Sequence, residues 1–76
     1  MNITYDKEAD ALYIQLKESP VSESLEVADG VIIDLDVDKK IIGIEIIYVS
    51  SRITPEELSR INIQNLPLTI SAAQSI

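Results

Sequence analysis

The side chains of this chain that could do chemistry are carboxylates and hydroxyls. Asp6 and Asp10 bracket the polar stretch DKEAD, Glu45 lies inside IIGIEIIYVS, and Tyr13, Tyr48, Ser50 and Ser51 offer hydroxyls. Two carboxylates held in different environments can divide the roles of acid and base, with a tyrosine as hydroxyl donor. Such a site needs DKEAD and Glu45 to converge, which pairing of the first and fifth strands would allow. The chain has no Cys and no His. Disulfides, thiolate nucleophiles, Cys/His zinc sites and imidazole acid–base chemistry are therefore excluded, and a Ser-His-Asp triad cannot be built. Ser50 and Ser51 have no base of the usual kind, so we do not read them as nucleophiles. The competing role for Asp6 and Asp10 is turn capping. No cofactor is implied.

A second arrangement of carboxylates invites a metal reading. In DLDVDKKIIGIE, residues 34–45, acids occupy the first, third and fifth positions, Ile41 the eighth and Glu45 the twelfth. This is nearly the calcium loop of an EF-hand. Its sixth position, however, is Lys39 rather than the glycine that the sharp turn requires, and β-branched residues flank it where helices should begin. We read a hairpin instead, with Asp34 and Asp36 alternating against Leu35 and Val37 and DKK as the turn. No metal site is expected.

The segments that must position these groups alternate in polarity. NITY (2–5) reads as a strand with Ile3 and Tyr5 on one face. LYIQLKE (12–18) sets Leu12, Ile14 and Leu16 against Tyr13, Gln15 and Lys17, and Pro20 closes it. SESLEV (22–27) is a weaker strand, and ADG (28–30) is a turn in which Gly30 can take positive φ. VIIDLDV (31–37) and IIGIEIIYVS (41–50) complete the set. Short connections favour an antiparallel meander. In the last strand Ile41, Gly43, Glu45, Ile47 and Val49 share a face opposite Ile42, Ile44, Ile46 and Tyr48. Glu45 thus sits in an apolar row, where a carboxylate must be paired, shifted in pKa or exposed at a site. A helix follows: Thr54 fits the N-cap, Pro55 N1 and Glu57 the capping box, with Ile53 and Leu58 as a staple and Ile61 extending the apolar stripe. The expected fold is α+β, an antiparallel β-meander of about five strands with one short C-terminal helix on one face.

At 76 residues the chain reads as one domain, its core over residues 2–62 and its tail over 63–76. Ordering it costs on the order of 100 kcal/mol in conformational entropy. The 46% hydrophobic content must offset that, with only three Tyr and no Phe or Trp, so the core rests on Ile, Val and Leu. Apolar character on both faces of the fifth strand calls for a second covering surface, and we expect a homo-oligomer, most simply a dimer. The net charge of −7 argues against nucleic acid and anionic membranes and favours a basic protein partner. No signal peptide or apolar span of ~20 residues is evident, so a cytoplasmic protein is expected.

YDKEADALYIQL (5–16) and VADGVIIDLDVDKKIIGIEIIYVSSRI (27–53), in this order, resemble the small prokaryotic domain-of-unknown-function family 2283. The resemblance covers roughly residues 2–60. It implies a small β-rich fold and a prokaryotic cytoplasm, and it marks Asp6, Asp10, Tyr13, Glu45 and Ser50 as motif positions. One departure is the turn at Lys39 and Lys40, where members often carry glycine. Three functions follow in order of expectation. The first is an interaction module, an antitoxin-like acidic partner of a basic protein. The others are a structural subunit of a homo-oligomer, and a small-ligand or enzymatic site using Asp6, Asp10 and Glu45.

Overall fold

The structure, a computed structural model, describes residues 1–65. The expectations for the tail beyond Asn65 lie outside the described residues. Five strands form one antiparallel sheet: β1 (Asn2–Asp6), β2 (Ala11–Gln15), β3 (Glu23–Ala28), β4 (Val31–Leu35) and β5 (Ile41–Ile47). A 3-10 turn, η1 (Val49–Ser51), and a helix, α1 (Pro55–Leu58), follow. The expected five-stranded antiparallel meander is present, in the order β1-β2-β5-β4-β3. Residues 16–22 carry the chain from β2 to the far edge, and β5 returns to close the sheet against β2. Pairing of the first and fifth strands does not occur, because β2 lies between them. The helical part is slighter than an α+β fold suggests, a single turn at α1 and another at η1.

Turn chemistry sets the register. Asp6 Oδ1 accepts the backbone N–H groups of Glu8 and Ala9 at 3.0 and 3.2 Å, the Asx-turn expected there, and Asp10 at φ 53° leads into β2. Gly30 at φ 77° turns β3 into β4. The β4–β5 turn departs from expectation. Asp36 is not an outward strand residue: it is 8% exposed, and its Oδ1 accepts the N–H groups of Asp38 at 2.8 Å and Lys40 at 3.0 Å. β4 ends at Leu35 because Asp36 gives its carboxylate to the turn, with Lys39 at φ 62° in the left-handed position. The third-position acid of the calcium-loop pattern thus serves the backbone of the turn.

The two faces of the sheet differ sharply. Ile3 pairs with Ile14, Ile14 with Ile44 and Ile44 with Ile33, while Leu12 pairs with Ile46 and Ile46 with Val31. These, with Tyr5 and Leu25, make an apolar face. The opposite face carries the rows Asn2–Gln15–Gly43–Asp34–Ser24 and Thr4–Tyr13–Glu45–Ile32–Glu26. On β5 itself the Glu45 face carries Ile41 and Ile47 at its ends, as expected, and the neighbouring strands set Tyr13 and Ile32 beside Glu45. Buried apolar side chains among the described residues are few, namely Ala11, Leu35, Ile42 and Val49. Leu35 and Ile42 sit where the β2–β3 connection folds over them, and Val49 lies under the start of the C-terminal segment, at the other end of the sheet.

The helix cap is as its residues dictate. Thr54 Oγ1 accepts from Glu57 N at 3.1 Å and Thr54 N donates to Glu57 Oε1 at 2.9 Å, a closed capping box with Pro55 first in the helix. Leu58 and Ile53 approach Ile3, Leu12 and Ile14, so the helix lies over the β1–β2 end of the apolar face. The helix ends at Leu58 with Ser59 as its C-cap, whose N–H makes the last helical bond to the Pro55 carbonyl at 3.0 Å and whose Oγ donates to the Glu56 carbonyl at 2.7 Å. Ile61 therefore falls outside it and is 63% exposed.

Candidate functional site

The expected site residues separate into two groups on different parts of the sheet. The first gathers at the end where the β1–β2 turn, the β3–β4 turn and the exit of β5 meet. There Asp10 Oδ1 accepts from the Tyr5 hydroxyl at 2.7 Å, Oδ2 accepts from Ser50 Oγ at 2.7 Å, and Ser50 N donates to Oδ1 at 3.1 Å. Val49 N also donates to the Asp10 carbonyl at 3.1 Å. The Ser50 hydroxyl, then the Tyr5 hydroxyl and the Ser50 N–H, hold the Asp10 carboxyl below the ordinary range, and the same contact raises Tyr5. A carboxylate this well supplied with donors is a poor base, so the Ser50–Asp10 contact does not activate Ser50. The cluster instead pins η1 to the β1–β2 turn. Asp6, serving that turn, joins the group by neighbourhood only.

The second group lies on the polar face. Tyr13 crosses Gly43: a Cβ on Gly43 would fall 2.0 Å from Tyr13 Oη and 2.6 Å from Cζ. The glycine leaves the groove in which the ring lies. The hydroxyl then donates to Asp34 Oδ2 at 2.8 Å, while Ser24 Oγ donates to Asp34 Oδ1 at 2.6 Å. The hydrogen bond to Asp34, then burial and the charges of Asp34 and Glu45, raise the Tyr13 pKa. Glu45 is half-buried directly across from Tyr13, and among the described residues it has no hydrogen bond or ion pair of its own. It flanks β2 and β4, while Asp6 and Asp10 sit at the sheet end, so the carboxylates do not converge into one acid–base pair.

Two shallow grooves border α1, each of about 230 Å³. One is lined by Tyr5, Lys7, Val49, Ser50, Ile53 and Leu58, the other by Ile3, Leu12, Ile14, Leu58, Arg60 and Ile61. Both fall below the ~300 Å³ at which small-molecule sites begin. Among the described residues no group of three or more acidic side chains is placed to hold a metal ion. The residues missed by sequence reasoning are partners of those found. Tyr5 and Asp34 receive Asp10 and Tyr13, and Arg52 donates to the carbonyls of Ile47 at 3.1 Å and Asp29 at 2.7 Å. Register alone could have found Asp34, which sits opposite Gly43 on β5.

Among the described residues no helix is long and apolar enough to cross a membrane. No match was found among curated proteins or solved structures. The model of the family described as "Protein of unknown function (DUF2283)" matches residues 2–50, from the start of β1 to Ser50. The match ends at the serine that closes the Asp10 cluster and leaves α1 outside it, about ten residues short of the span expected from the sequence. The matched part is well over half of the chain and contains the whole sheet, and the protein belongs to this family.

Proposed function

We propose that the chain is a small protein-interaction module that docks a basic protein, in the manner of an antitoxin, on the apolar face of its sheet. The observation that carries this reading is the incomplete covering of that face. Among the described residues α1 and its flanks lie over β1 and β2 and the β2–β3 connection reaches Leu35 and Ile42, while Val31, Ile33, Ile44 and Ile46 remain partly exposed and Leu25 is 41% exposed. Contiguous exposed apolar surface on a protein marks contact surfaces. The net charge of −7 supplies long-range attraction for a basic partner. A catalytic reading finds less support, because Asp10 is committed to Ser50 and Tyr5, and Glu45 stands apart from it.

The test is capture from a lysate of the source organism with the tagged chain and with Leu25→Arg, a charge placed on the exposed rim of the face. One basic protein should be retained in stoichiometric amount by the native chain, released by raised salt and lost by the variant. Retention of no stoichiometric protein, or equal retention by Leu25→Arg, would contradict the reading.

A further inference from the structure

We propose that β1 is a self-pairing edge: two copies join antiparallel through Asn2–Asp6 about a twofold axis at Thr4, fusing their sheets into one. This contact uses an edge of the sheet rather than its apolar face, and it stands or falls separately from the docking of a basic protein.

Among the described residues the sheet has two open edges, β1 and β3. Edge strands present unpaired N–H and C=O groups, and soluble proteins guard them with bulges, charges or proline. β3 is guarded. Its register breaks between Glu26 and Ala28, and it carries Glu23, ion-paired with Lys39 at 3.5 Å, and Glu26. β1 has none of these devices. It keeps five consecutive regular pairs with β2, contains no proline or bulge, and carries a single charge, Asp6, at its end.

The sequence NITYD is also complementary to itself. With Thr4 opposite Thr4, Ile3 of one copy meets Tyr5 of the other and Asn2 meets Asp6. Aromatic–β-branched and Thr–Thr pairs are the favourable cross-strand combinations, and no like charges face one another. A shift by one residue would set the apolar face of one sheet against the polar face of the next, and a shift by two would leave fewer pairs. The surroundings suit a second copy. Tyr5 is 39% exposed, and the groove lined by Ile3, Leu12, Ile14, Leu58 and Ile61 opens beside the same edge. Because both copies are acidic, their pairing should tighten with salt, the opposite of docking to a basic protein.

Sedimentation equilibrium over a range of concentration and salt tests the pairing. The native chain should form a dimer that strengthens as salt rises. Thr4 is exposed on the polar face, so Thr4→Lys and Thr4→Glu should fold normally by circular dichroism. Each alone sets like charges opposite each other at the axis and should weaken the dimer about tenfold or more. An equal mixture of the two should restore it, since lysine then meets glutamate. Amide exchange of the native chain gives a check that needs no variant: protection in β1, and not in β3, should rise with concentration. A native chain that stays monomeric throughout, single variants as dimeric as the native chain, or a mixture no better than its components would overturn the proposal.

Discussion

At the scale of single residues, the two glycines of the chain are each spent on a contact. Gly43 makes room for Tyr13, and Gly43→Ala should destabilise the protein by about 1–3 kcal/mol, the range for overpacking. Chemical denaturation would measure it, and Tyr13→Ser should relieve most of the loss in the double variant, whereas Tyr13→Phe should not. Asp10 and Asp36 bring a pH dependence. The Ser50 hydroxyl lowers the first and the N–H of Lys40 the second, so the folded state keeps these carboxyls ionised more readily than the unfolded state. Their contribution is complete above the ordinary carboxylate value of 3.8 and is lost as pH falls through their lower folded values. Tyr5 and Tyr13 are shifted upward, and their share is lost only as pH rises beyond 10. With no histidine in between, stability followed by thermal melts should be nearly flat from about pH 5 to 9. Asp10→Asn and Asp36→Asn should each flatten the fall on the acid side. An equally steep fall in both variants would remove these residues from the account.

At the scale of elements, the alternation of Leu12, Ile14 and Leu16 and of Ile42, Ile44 and Ile46 gave the strands, and Thr54, Pro55 and Glu57 gave the helix start. Strand ends were less legible, because side chains compete with the ladder for the backbone there. Asp36 ends β4 early by turning its carboxylate onto Asp38 and Lys40, and α1 closes at its Ser59 cap before Ile61 can join its stripe. The candidate site was legible as a set of residues but not as an arrangement. Which carboxylate meets which hydroxyl depends on β2 lying between β1 and β5, and alternation within one strand does not encode strand order. Two predictions belong here. Lys39 lies at φ 62°, a conformation glycine adopts without strain, so Lys39→Gly should stabilise the chain by up to about 1 kcal/mol. Thr54→Ala should cost about 1 kcal/mol through the lost cap, seen as faster amide exchange at Glu57.

At the scale of the whole molecule, the sheet carries more apolar surface than its own single-turn helix covers. The buried core of the described residues rests on a few side chains, and among those residues nothing pairs with the outer edge of β1. A sheet of this size with one polar and one apolar face is complete only when something lies against the latter. The chain carries a net charge of −7, and the Tyr13–Asp34 and Asp10–Ser50 contacts tie β2 to β4 and η1 to the β1–β2 turn. The central claim is that the apolar face is where a partner docks, and adjacent isoleucines on opposite faces make it directly testable. Methyl NMR of the chain titrated with the captured basic protein should shift Ile33, Ile44 and Ile46, leaving Ile32 and Ile47 of the polar face in place. Shifts confined to Ile32 and Ile47 would contradict the account and place the contact surface beside Tyr13 and Glu45 instead.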